Sequence, residues 1–372
     1  MILNRLNIKS KYGDIGLMVI IAIILAFGLL MLASASVAVG LNRFGDGGFF
    51  IKRQLEALLI GLVAGYACYR LPFARWREWS FALFAVSLVL LILVFIPGLG
   101  LSGKGAARWI NLGIANFQPS ELVKLTLILY LSAWLSERGA RVVADFKAGL
   151  VPFVGLMGVL FILIISQPDL GTLLVITWIG VVLYFVGGAH VKHLLALAGS
   201  GSLLLLLMIK IEPYRLARLT AFLDPSHDPQ GVGYHINQAM LAIGSGGWLG
   251  VGLGQSRQKF LYLPEVTGDS IFAVIAEELG FVICALVIAL FLAFLWRGLK
   301  IARNAPDEYS KMVAIGITAW IVGQAFLNIG AITSLLPLTG IPLPLISYGG
   351  TALVTTLMGL GILLNISKSS RV

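Results

Sequence analysis

Charge is scarce in this chain. Lys, Arg, Asp and Glu make up 12% of its 372 residues, about half the ~25% carried by soluble domains. Spread over many segments, that deficit means lipid is the solvent. Cysteine is rarer still, and Cys68 and Cys284 both lie inside apolar stretches, where a thiol is a small packing residue. They carry no information about redox compartment. Of the four histidines, His190 and His193 flank a short turn beside Lys192 without carboxylate or Cys companions, so no metal site is read there. No zinc-type Cys/His cluster, Walker lysine motif or Ser-His-Asp spacing occurs. Gly250-Val251-Gly252-Leu253-Gly254 has neither a strand before it nor a βαβ unit around it, which excludes a dinucleotide site.

Apolar residues are abundant: they make up 59% of the chain, and the mean hydropathy is +0.96. The 43 glycines fit a membrane bundle, because small residues let helices approach closely where no hydrophobic force drives association. Runs of about 17–25 mainly apolar residues predict helices near 15–39, 54–70, 79–99, 119–136, 149–166, 170–188, 191–211, 271–296, 310–332 and 344–366. The expected fold is therefore all-α, a polytopic integral membrane protein of about ten transmembrane helices forming one domain over 1–372. The first run exceeds the core of a cleavable signal and should stay as a helix.

The net charge of +10 reads as topology rather than nucleic-acid binding, since basic residues gather in cytoplasmic loops whatever the function. With the N-terminus inside, cytoplasmic segments hold sixteen Lys and Arg, against nine over far more loop sequence opposite. Both termini, about 1–14 and 367–372, are expected in the cytoplasm. A long loop, about 212–270, and a shorter one, 101–118, then share the outer face.

Ionisable residues at membrane depth mark functional sites by default. Glu121 and Lys124 stand three apart on one helix face, either as a structural ion pair or as part of a site with Lys104 and Arg108 just before them. Glu265, Asp269, Glu277 and Glu278 surround the end of the long loop. Asp269 stands where a helix begins, so it is either an N-cap or a general base at the membrane lip.

Specific strings then decide more than composition. They are Gly105-Ala106-Ala107-Arg108-Trp109-Ile110, Phe117-Gln118-Pro119-Ser120-Glu121-Leu122-Val123-Lys124, Gln167-Pro168-Asp169-Leu170-Gly171-Thr172, Gly231-Val232-Gly233-Tyr234-His235, Leu263-Pro264-Glu265, Ala276-Glu277-Glu278-Leu279-Gly280 and Gly340-Ile341-Pro342-Leu343-Pro344-Leu345-Ile346-Ser347-Tyr348-Gly349-Gly350. In this order, from about 15 to 366, the chain resembles the SEDS family (FtsW/RodA/SpoVE) of peptidoglycan glycosyltransferases. Gly254-Gln255-Ser256-Arg257-Gln258-Lys259 resembles the FtsW-like division branch more than the RodA-like elongation branch.

The resemblance implies polymerisation of lipid II into β-1,4 glycan strands on the outer face of the bacterial cytoplasmic membrane, for septal or elongation synthesis. It places the essential aspartate on Asp269. Where the family usually has His two residues before that aspartate, this chain has Thr267, followed by Gly268. Lys104 and Arg108, with Arg53, Lys124 and Arg218, are the cations expected at a departing pyrophosphate, and Glu121 and Glu265 complete the expected substrate-binding set. A divalent cation, Mg or Mn, could share that task, although no dedicated cage is read. A class B penicillin-binding protein is the implied partner, alongside other divisome or elongasome membrane proteins, because no Ser-x-x-Lys transpeptidase site is read in the chain. A lipid II flippase and a non-catalytic division scaffold are the rival readings.

Overall fold

The computed structural model describes residues 13–103, 106–111, 113, 116–211, 213–224 and 231–369. The elements run α1 (Ile15–Phe44), α2 (Phe49–Arg70), α3 (Phe73–Leu93), β1 (Gly100–Gly103), β2 (Ala106–Asn111), β3 (Asn116–Phe117), α4 (Pro119–Val143), a π-helical turn (Phe146–Leu150), α5 (Val151–Ile165), α6 (Leu170–Val186), α7 (Val191–Ile211), α8 (Pro213–Leu223), α9 (Val232–Gly246), α10 (Ile271–Arg303), α11 (Glu308–Ile332) and α12 (Gly350–Ser369). Every expected apolar run folds as a helix. Among the described residues, six helical stretches are long and apolar enough to cross a membrane: α1, α3, the π-turn with α5, α10, α11 and α12. The protein is a multi-pass helical membrane protein.

Helix ends follow local chemistry. Asp14, Asp169 and Asp307 each accept a backbone N–H at the first turn of α1, α6 and α11, the N-cap role of a short acidic side chain. Between α1 and α2, the Lys52 ammonium and the Gly48 N–H both donate to Asp46, holding its carboxyl below the usual carboxylate range.

Several helix boundaries differ from the expectations. α2 and α3 start earlier, at Phe49 and Phe73, because Lys52, Arg53, Arg75 and Arg77 are tolerated at helix ends where long side chains reach water. α3 also stops before Pro97, a residue that disfavours helix in the position preceding it. α12 begins at Gly350 rather than 344, since Pro342 and Pro344 carry no N–H to donate and the chain turns at 344–346, with Leu345 at φ 65°. The 101–118 loop is not featureless either: β1, β2 and β3 form an antiparallel sheet in that order. The 212–270 loop contains α8 and α9.

α11 and α12 form the middle of the bundle and are largely buried, whereas α1, α3, α5 and α10 leave most of their length exposed. The outward faces of those four are correspondingly apolar. α2 and α12 pack backbone to backbone: a methyl on Gly361 would overlap the Gly65 carbonyl, and one on Gly61 would overlap Leu357. Gly61 and Gly65, four apart, are the small-residue stripe that such a crossing requires.

α10 is broken at Gly280, whose φ of 76° and ψ of −176° leave the helical region. A break at membrane depth leaves backbone groups that must find partners. The segment after α9 supplies them. Val251 and Gly252 donate to the carbonyls of Glu277 and Glu278, while Phe281 and Val282 donate to those of Gly247 and Trp248.

Candidate active site

The non-helical segment from Ile341 to Gly349, which turns at Pro344–Ile346, organises one end of the bundle. Its free carbonyls are taken by amide side chains of neighbouring helices. Gln324 Nε2 donates to the Pro342 carbonyl at 2.9 Å, and Asn328 Nδ2 to that of Ile341 at 2.8 Å. From α2, Gln54 Nε2 donates to the Ser347 carbonyl at 3.2 Å while its Oε1 accepts the Gly349 N–H. Buried polar backbone is thereby satisfied, as it must be where water is excluded.

This segment holds the turn that carries Asp269. Ser347 Oγ donates to the Gly268 carbonyl at 2.6 Å, the Tyr348 N–H to that of Thr267 at 2.8 Å, and Asn328 Nδ2 to that of Asp269 at 2.8 Å. Glu265, exposed and with φ of 51°, closes the same turn by accepting the N–H groups of Gly268 and Ser270 on its carbonyl. The N-cap of α10 is Ser270, so Asp269 stands one residue outside it, half-buried, on a backbone fixed from several sides.

Glu121 and Lys124 do form an ion pair, at 2.8 Å, and only 4% and 2% of these residues are exposed. Lys124 also donates to Gln324 Oε1 at 2.9 Å and lies over the Trp320 ring. The pair therefore continues the network that grips Pro342. A second buried pair joins Lys259 to Glu278 at 2.7 Å, with the Ser34 hydroxyl donating to Glu278 and accepting from Lys259. Glu277 accepts the Ser256 hydroxyl and the N–H groups of Arg257 and Gln258. The two acidic residues thus fasten the 250–260 loop to α10.

The spacing Ser-x-x-Lys does occur once, at Ser256 and Lys259. It offers no nucleophile, because Ser256 is fully buried on Glu277 and Lys259 is committed to Glu278. That corrects the reading that the chain lacks such a string.

The remaining cations are dispersed. Arg108, on β2, donates to the carbonyls of Gln167 and Pro168 and so ties the sheet to the α5–α6 turn. The sheet reaches the 341–349 segment through Thr351, whose hydroxyl donates to the Asn116 carbonyl and accepts the Gln118 N–H. Arg53 stands on the first turn of α2, half-exposed and 3.6 Å from Glu56. Phe50, at the start of the same helix, packs edge-on against Tyr348 at 5.0 Å. Lys104 lies outside the described residues, as does the side chain of Arg218 on α8. Among the described residues, no three His, Cys, Asp or Glu side chains converge as a metal cage would require.

The family model of the FtsW/RodA/SpoVE cell cycle proteins matches residues 15–372. The chain belongs to this family. The FtsW/RodA/SpoVE relatives include stage V sporulation protein E of Bacillus subtilis, 43% identical over 98% of this chain and 99% of that protein. Another is the probable peptidoglycan glycosyltransferase FtsW of Thioalkalivibrio sulfidiphilus, 40% identical over 96% and 90%. A solved peptidoglycan synthase complex that coordinates polymerization and crosslinking contains a similar chain, with TM-score 0.79 and 30% identity over 96% of this chain and 98% of that one. The rod shape determining protein RodA of Thermus thermophilus is similar at TM-score 0.70 and 29% identity, over 97% and 98%.

Sequence reasoning did not single out Gln54, Gln324, Asn328 or Ser347 as functional. Gln324, Asn328 and Ser347 are uncharged polar residues inside apolar runs, and that placement was the available signal, whereas Gln54 stands among charged residues at a helix start.

Proposed function

We propose that this chain is a lipid II polymerase that crosses the cytoplasmic membrane ten times, with both termini inside and the Asp269 turn facing outward. The observation that carries the reading is the state of Asp269: half-buried, one residue off the cap position, on a backbone pinned by Asn328 and Ser347. A base must be held in place to be efficient. In the proposed step, Asp269 takes the proton of the acceptor's sugar 4-hydroxyl. The freed oxygen attacks the donor's anomeric carbon, and the bond to undecaprenyl pyrophosphate breaks with inversion. Pyrophosphate leaves without being protonated by a side chain, so the displacement needs a base but not the acid partner that glycosidases also use.

Arg108, with Lys104, Arg53 and Arg218, supplies positive charge for the leaving pyrophosphate, and Glu265 contacts the sugar headgroup. Glu121 and Lys124 support the site through Gln324. A divalent cation could bind between pyrophosphate and protein, but its ligands would come largely from the substrate. A class B penicillin-binding protein crosslinks the strands. The similar chain in a complex that coordinates polymerization and crosslinking supports that pairing.

The test is glycan synthesis from lipid II by purified protein, with and without a transpeptidase, read as chain length on gels. Asp269→Asn should lower turnover by about 10²–10⁴-fold, the usual share of a general base, with the melting temperature unchanged. Full activity in that variant sinks the assignment. Movement of labelled lipid II across vesicles without glycan product would favour the flippase.

A further inference from the structure

A second polar chain reaches Asp269 through Ser270. His235 stands on the first turn of α9, and its Nε2 lies 2.6 Å from Ser270 Oγ. Ser270 is completely buried. Its hydroxyl is 2.8 Å from the Pro264 carbonyl and 3.4 Å from Asp269 Oδ1.

A serine hydroxyl has one proton to give, so the imidazole decides where it goes. When Nε2 carries a hydrogen, it donates to Ser270 Oγ, and the single hydroxyl proton is shared between the Pro264 carbonyl at 2.8 Å and the Asp269 carboxylate at 3.4 Å. When Nε2 is bare, it accepts that proton and Asp269 loses the donor. The first arrangement gives Asp269 Oδ1 a donor in Ser270 and so biases the carboxyl rotamer. Ser270 does no capping work that would otherwise explain its burial, since its side chain makes no cap hydrogen bond.

We propose that His235 is a positioning residue for Asp269 that acts through Ser270, an inference that rests on Asp269 being the base. α9 is already locked to α10 independently, by the close approach of Gly246 to Ala276 and by the Gly247 and Trp248 carbonyls. The His235–Ser270 contact is therefore available for orienting the carboxyl.

The experiment measures kcat and KM for lipid II polymerisation by the full chain. Variants are His235→Phe, His235→Gln, Ser270→Ala and the His235→Phe/Ser270→Ala double, with Asp269→Asn as reference and melting temperature as the folding control. His235→Phe and Ser270→Ala should each lower kcat about tenfold, the effect of one hydrogen bond to a charged group, with KM unchanged. His235→Gln retains an N–H donor and should recover most of the loss. The double should be no worse than either single change, because both act through one hydroxyl.

Wild-type kcat in His235→Phe beside an inactive Asp269→Asn overturns the inference and leaves the base in place. Failure of Gln to rescue, or additive losses in the double, also overturns it, since a merely structural contact behaves that way. Full activity in Asp269→Asn removes the base and the inference together.

Discussion

At the scale of single residues, the placement of Lys124 and Lys259 changes what their charges mean. Both are nearly inaccessible and each faces one carboxylate, Glu121 or Glu278. Two ions taken out of water stabilise a fold little as a pair, but removing one leaves the other stranded, at about 3–5 kcal/mol. Lys124→Ala should therefore lower the melting temperature far more than the double variant Glu121→Gln/Lys124→Met, which removes both charges and keeps the volume. Thermal unfolding in detergent checks this, and equal losses would show that the pair is not the source of the cost. The Glu121–Lys124 pairing was legible in the sequence because its partners stand three apart on one helix. The Lys259–Glu278 pairing was not: the lysine reads as a loop charge until the chain folds back on α10.

At the scale of elements, the helices were legible and their interruptions were not. A run of apolar residues is a local property, whereas the conformation of Gly280 depends on the segment 30 residues earlier that inserts against it. A methyl at Gly280 would meet the backbone of Leu249 and Gly250, and its φ of +76° already disfavours any side chain. Such strain costs about 1–3 kcal/mol before the clash is added. Gly280→Ala should sharply reduce the yield of folded protein. Gly155→Ala, with open space around its Cβ on α5, should be neutral or mildly stabilising. Gel-filtration profiles in detergent compare the two. The β1–β3 sheet escaped the sequence reading because its strands are only four, six and two residues long, too short for a periodicity to register.

At the scale of the whole molecule, the proposed orientation is testable with single cysteines. Cys68 and Cys284 are 3% and 6% exposed, so the native background is low. Gln255 and Glu308 are exposed on the two sides of α10. In intact cells with a permeable outer layer, Gln255→Cys should react with an impermeant maleimide, and Glu308→Cys only after lysis. The reverse pattern would place the Asp269 turn in the cytoplasm, where no outward polymerase could use it. Within the bundle, one helix holds both that turn and the segment against it. Gln324 and Asn328, one turn apart on α11, hold the adjacent carbonyls of Pro342 and Ile341, and Asn328 holds Asp269 as well. Sliding α11 by one turn, about 5.4 Å, would bring the shorter Asn where Gln had been and break all three bonds at once. α11 is thus a ruler with two marks, and the Asp269 backbone it holds has one allowed reading.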